Sequence, residues 1–136
     1  METKIKPDPD PITQKELNKA IKQLKRGKAT GPDEIPNEAI IEADTHTREM
    51  YREVINEILK TRTPPDEWQK GDIKRLYKGK GKKGKCSNER GITLASNMGK
   101  LYERIINNRI SDKIDMSEAQ AGGQRGKATT DHILIL

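Results

Sequence analysis

Phenylalanine is missing from this chain, and tryptophan and cysteine occur once each. Aromatic residues make up 3% of the 136 positions, and Leu, Ile, Val and Phe together supply only 25 of them. That share, about 18%, lies just under the roughly 20% below which disorder is suspected. A large aromatic core is therefore excluded. With Cys86 alone, so is an internal disulfide. No apolar run approaches the ~20 residues of a membrane-spanning helix, and no membrane partner is expected. The opening residues, Met1 to Pro11, are polar and carry Pro7, Pro9 and Pro11, unlike a signal peptide. An intracellular protein is expected, in nucleus or cytoplasm.

Chemistry-bearing clusters are missing too. His46, Cys86 and His132 lie far apart and form no ligand-spaced set. No serine or cysteine elbow occurs. No two aspartates are adjacent, and no credible pair of carboxylates is set to hold two metal ions. The expectation is no catalytic residue and no metal ligand within this chain.

What is present is positive charge and helical periodicity. Charged residues reach 35%, the net charge is +6 and the pI about 9.4. This balance matches nucleic acid, a nucleotide or an acidic surface as partner, and a merely soluble basic protein is the equal alternative on charge alone. The apolar residues fall at helical spacing, which disordered chains rarely show. Residues 1–11 read as a flexible lead-in. Thr13 and Glu16 form a capping box, with Ile12 and Leu17 as its hydrophobic staple. Leu17, Ala20, Ile21 and Leu24 then mark a helix, with Gly27 at its C′ position. A short helix is predicted over 37–43, and a long one from Thr47 to Lys60. Met50, Tyr51, Val54, Ile55, Ile58 and Leu59 form the long helix's apolar repeat, and Pro64-Pro65 stops it. Trp68 reads as a core anchor. Ile73 to Lys78 and Arg90 to Leu94 read as strands of a hairpin with Gly79 to Glu89 at its tip. Ser96 caps a third helix over 97–113, with Met98, Leu101, Tyr102, Ile105, Ile106 and Ile110 on its buried face. Thr129 or Thr130 would cap a last helix from Asp131 into Ile133 to Leu136.

Four segments carry the functional signal: Gly31-Pro32-Asp33, Tyr77 to Lys85, Arg90 to Leu94, and Gln120 to Asp131. Glycines let a backbone approach a phosphate, and Lys and Arg supply the countercharge. Gly79, Gly81 and Gly84 fit a G-x-G-x-x-G pattern, and Gly84-Lys85 nearly completes a Walker A loop. Cys86 stands where that loop needs a hydroxyl, and no helix opens there. A solvated hairpin tip is the plainer reading.

In order, these segments resemble the blocks of reverse transcriptases from non-LTR (LINE-type) retrotransposons. Gly27 to Pro36 resembles that family's first loop, and Leu76 to Lys82 its fingers hairpin. Asn88 to Leu94 followed by Gly99 to Arg104 is similar to the next block, and Gln120 to Gly126 with Ala128 to Ile133 to the one after. The resemblance spans about residues 12–136. It implies an α+β, helix-rich fold: the N-terminal, fingers-side fragment of a right-handed polymerase, leading into the palm and truncated before the palm's catalytic motifs. It implies Arg90 and Lys78, with Lys80 as alternative, as contacts to the phosphates of the incoming nucleotide. It places Lys28, Gly31, Gln120, Gly123 and Gly126 along the template. In the complete parent, the partners would be an RNA template, a DNA primer, a deoxynucleoside triphosphate and the missing palm and thumb, with Mg2+ as cofactor. The parent's metal-binding aspartates lie downstream of the matched blocks, so this chain alone is expected to be inactive and to need no cofactor. The alternatives are a stand-alone basic RNA- or DNA-binding module and a degenerate retrotransposon remnant without activity.

Overall fold

The computed structural model describes residues 9–114 and Gly126. Its elements are α1 (Gln14–Lys22), α2 (Asn37–Ile41), α3 (Thr45–Thr61), α4 (Asp66–Gln69), β1 (Gly71–Tyr77), β2 (Glu89–Ala95) and α5 (Asn97–Ser111). Helices and one antiparallel pair of strands make an α+β architecture. The chain divides into two compact units, Met1–Ile105 and Ile106–Leu136. The first holds α1 to α4, the hairpin and α5 as far as Ile105. The described part of the second is the end of α5, the turn to Ile114, and Gly126. The last helix expected from Asp131 lies outside the described residues, as do residues 1–8 of the lead-in.

Local chemistry sets the helix starts. Thr13 Oγ1 accepts from Glu16 N at 3.2 Å and the Glu16 carboxylate accepts from Thr13 N at 2.8 Å, a complete capping box. Ile12 is fixed further by Asn56 of α3. Ile12 N donates to Asn56 Oδ1 at 2.6 Å and Asn56 Nδ2 donates to Ile12 O at 3.0 Å. Asp44 caps α3 by accepting from Thr47 N at 2.8 Å. That cap starts α3 two residues before the expected Thr47. Ser96 Oγ accepts from Gly99 N at 3.3 Å at the start of α5. Helix α1 ends at Lys22, so Gly27 is no C′ residue; it takes a left-handed φ of 67° in the loop that follows.

The core of the first unit joins Ile12, Leu17, Ala20 and Ile21 to Ile40, Ile55, Met98, Leu101 and Ile105. Each fully buried leucine or isoleucine contributes about 1.5–3 kcal/mol relative to exposure. Trp68 packs against this core, 5.9 Å from the Tyr102 ring and against Gly99, where a Cβ would sit 3.3 Å from the indole. Two expected core positions on α3 are not core: Met50 and Val54 are each 52% exposed. Each precedes an inward residue, Tyr51 or Ile55, by one position, and one helical position is a rotation of about 100°. The buried stripe of α3 is therefore narrower than its apolar repeat. Ile110 on α5 is likewise exposed.

Candidate functional site

Strands β1 and β2 pair antiparallel, Gly71 opposite Ala95 through Leu76 opposite Arg90 to Tyr77 opposite Glu89. Lys78 N donates to Asn88 O at 2.8 Å, carrying the ladder one pair further. Alternation then sorts the side chains. Lys74, Leu76, Lys78, Arg90 and Ile92 share one face; Ile73, Arg75, Tyr77, Glu89 and Thr93 share the other. Arg90 lies opposite Leu76, with Lys74 and Lys78 as its two diagonal neighbours. Neither face is covered: Ile73 is 73% exposed, Leu76 52% and Ile92 40%. A two-stranded hairpin with both faces in water is marginal on strand pairing alone. Something else must hold it.

The tip supplies part of the answer. Lys78 Nζ donates to Ser87 O at 2.8 Å, Asn88 Nδ2 to Lys82 O at 3.0 Å, and Asn88 N to Lys85 O at 2.8 Å. Gly84 N donates to Glu89 Oε1 at 3.0 Å, and Glu89 Oε2 lies 3.6 Å from Arg75 Nη1. The Tyr77 hydroxyl donates to Gly81 O, and the Lys83 ammonium stands 5.8 Å from the Tyr77 ring centroid. Glu89 is the only carboxylate between Asp72 and Glu103, a stretch with nine Lys and Arg residues. Residues 73–102 thus carry +8 and the rest of the chain −2. The chain's positive balance resides in the hairpin and its immediate flank.

The foot of the hairpin is fixed by the Gly31-Pro32-Asp33 loop. A Cβ at Gly31 would lie 2.5 Å from Ala95 C and 2.6 Å from Ser96 N, so two backbones meet there with no room for a side chain. Glu34 N donates to Gly31 O at 3.0 Å, closing a turn around Pro32 and Asp33. Buried Asn97 donates to Ile35 O at 2.8 Å, and Asn37 to Lys25 O at 2.8 Å. Arg104 Nη1 donates to Gln23 O at 3.0 Å. Nearby, Gly27 N donates to Glu38 Oε1 at 2.5 Å, and that hydrogen bond holds the Glu38 carboxyl below its ordinary range. The exposed Arg26–Glu42 pair raises the Arg26 guanidinium, first through its hydrogen bond and then through charge.

Of the residues singled out from the sequence, Lys78 and Arg90 come together on one sheet face. Lys78 reaches back to the Ser87 carbonyl, and Lys80 stands exposed in the tip. Lys28 is exposed in the loop between α1 and α2, while Gly31 is buried against Ala95 and Ser96. Gln120 and Gly123 lie outside the described residues. Gly126 adopts a left-handed φ of 79°. Sequence reasoning passed over Asn88 and the Arg75–Glu89 pair. The isolation of Glu89 among cations was the available signal for the latter.

Among the described residues no group of three or more His, Cys, Asp or Glu could hold a metal ion. These described residues do not fit the magnesium that the resemblance implies for the parent. No helix among them is long and apolar enough to cross a membrane. A groove of ≈ 500 Å³ between Pro9–Pro11 and α3, lined by Glu53, Asn56, Glu57 and Lys60, shares no lining residue with the hairpin.

No protein-family profile matches the chain. It is similar to the probable RNA-directed DNA polymerase from transposon BS of Drosophila melanogaster, 30% identical over 128 residues. The match covers 90% of this chain and 14% of that relative, so the chain spans about one seventh of its length. The chain is thus related in sequence to a transposon reverse transcriptase.

Proposed function

We propose, from that relationship, that this chain is the fingers-side portion of a non-LTR reverse transcriptase domain. Its hairpin grips the phosphates of an incoming deoxynucleoside triphosphate while the template passes the neighbouring loops. The observation that carries the reading is the strand register, which sets Arg90 between Lys74 and Lys78 on one exposed face. A triphosphate bears several anionic oxygens, and fixed cations meet both the ground-state charge and the charge that develops on transfer. Arg90 offers a planar fork of donors suited to paired phosphate oxygens, and Lys78 and Lys80 offer compact point charges. Lys28, Gly31, Gln120, Gly123 and Gly126 are the proposed template contacts. RNA template, DNA primer and the palm and thumb are the proposed partners. The reaction of the complete enzyme, attack of a primer 3′-hydroxyl on the α-phosphate, needs metal-binding carboxylates from outside this chain.

The test uses a complete enzyme carrying this segment. Arg90→Ala should cost about 1.5–3 kcal/mol of phosphate contact, the range for hydrogen bonds to charged groups. It should raise the Michaelis constant for nucleotide with the fold intact. Unchanged nucleotide kinetics would refute the assignment. The isolated 136-residue chain should extend no primer with magnesium, primer and template supplied.

The closed core around Leu17, Ile55 and Leu101 favours a second reading, a self-standing basic RNA- or DNA-binding module. A thermal melt separates the two. One sharp transition, with RNA binding that weakens steeply with salt, supports the module; a broad melt that exposes apolar surface supports the portion of a larger domain.

A further inference from the structure

We infer that Asn88 is a positioning residue, the hub that holds the lysine-rich tip in one shape before any anion arrives. Its backbone carbonyl accepts from Lys78 N and its backbone N–H donates to Lys85 O, both at 2.8 Å. Its side-chain amide donates to Lys82 O at 3.0 Å. The same side chain fills the space over Gly81, whose φ is 80° and where a Cβ would meet Asn88 Cγ at 2.8 Å. One residue thus ties Lys78, Gly81, Lys82 and Lys85 together. The tip needs such a tie: Lys78, Lys80, Lys82, Lys83 and Lys85 fall within eight positions, and their mutual repulsion favours an open, disordered loop. Asn88 is neutral, so it can order the cations without cancelling any of them. Glu89 also binds the tip, through Gly84, but at the cost of one positive charge. Ordering the lysines beforehand removes an entropy loss that a polyphosphate would otherwise face on binding.

The binding half of this inference rests on the phosphate reading of the hairpin; the ordering half does not. Asn88→Ala leaves the net charge unchanged, so any effect comes from shape. In the 136-residue chain, hydrogen exchange at the amides of Lys78, Gly84 and residue 88 should accelerate at least about tenfold, from loss of the tie. The amides of Leu101 and Ile105 should stay protected, which shows that the fold survives. Gly81→Ala should reproduce the effect from the opposite side. Gly79→Ala, with φ 81° but nothing within 4 Å, carries backbone strain alone and should do less. Unchanged exchange in Asn88→Ala, or equal effects at Gly79 and Gly81, overturns the hub. Titration with inorganic tripolyphosphate should show binding weakened about three- to tenfold in Asn88→Ala, the scale of one net hydrogen bond. Its salt dependence should be unaltered, because the number of cations is the same. Wild-type affinity in Asn88→Ala, with Arg90→Ala impaired, overturns the positioning role while sparing the phosphate reading. A wild-type chain that ignores tripolyphosphate overturns the phosphate reading, and the exchange measurement then decides Asn88 alone.

Discussion

Gly31 shows how one residue can carry two readings that geometry separates. The resemblance sets it beside a template strand, yet its Cα faces the Ala95–Ser96 backbone with no space for a methyl group. Gly31→Ala must push apart the loop and the β2–α5 junction, where Asn97 also holds Ile35 O. The expected cost is about 1–3 kcal/mol, the usual range for overpacking, read as a lower urea midpoint in the 136-residue chain with no nucleic acid present. A midpoint equal to wild type would show that the junction opens freely and that Gly31 serves something else. Leu101 gives the reference: at full burial, Leu101→Ala should cost about 2–5 kcal/mol. Leu76→Ala, half exposed on the hairpin, should stay within about 0.5 kcal/mol.

At the scale of elements, helix starts were readable and helix faces less so. Thr13–Glu16 and Ser96 sit in local patterns whose hydrogen bonds close within one turn, so sequence suffices. Asp44 obeys the same rule but was overlooked beside the longer apolar repeat that begins at Met50. The inward face of α3 depends on where α1 lies, and no periodicity tells a half-buried Tyr51 from an exposed Met50. The hairpin was legible from its glycines and lysines. Its tie through Asn88 was not, because a side chain bonding to a carbonyl six residues away, beside a backbone N–H bonding three residues away, leaves no composition signal. Acid should reveal the carboxyls held by hydrogen bonds, one at a helix cap and one against a loop. Asp44 is held below its ordinary range by hydrogen bonds from the Thr47 side chain and backbone, and Glu38 by the Gly27 N–H. A carboxyl depressed in the folded state stabilises it at pH above the unfolded value of about 4. That contribution is lost as pH falls through the lower, folded value. The urea midpoint should therefore change little on these groups' account from pH 7 to 5 and fall below about pH 4. Asp44→Asn with Glu38→Gln keeps oxygen acceptors without the charge, so the acid limb should be shallower. An unchanged limb would mean that other carboxyls govern it.

Across the whole molecule, charge is segregated: residues 73–102 hold +8 and everything else −2. A protein whose cations were merely solubilising would have no reason to concentrate them on one hairpin with both faces open to water. If that hairpin is the polyanion contact, the salt dependence of binding must be encoded there. With a single-stranded RNA oligonucleotide, log K should fall with log salt by about 0.7 per phosphate neutralised, so contact through Lys74, Lys78 and Arg90 gives a slope near −2. Lys78→Ala and Arg90→Ala should each flatten it by about 0.7. Removing Lys15, Lys19 and Lys22 together strips three exposed cations from α1 and should leave the slope unchanged. The comparison is severe because the α1 variant loses three times the charge of either hairpin variant. Attraction by net charge alone would make it the worst binder, whereas contact at the hairpin requires the reverse order.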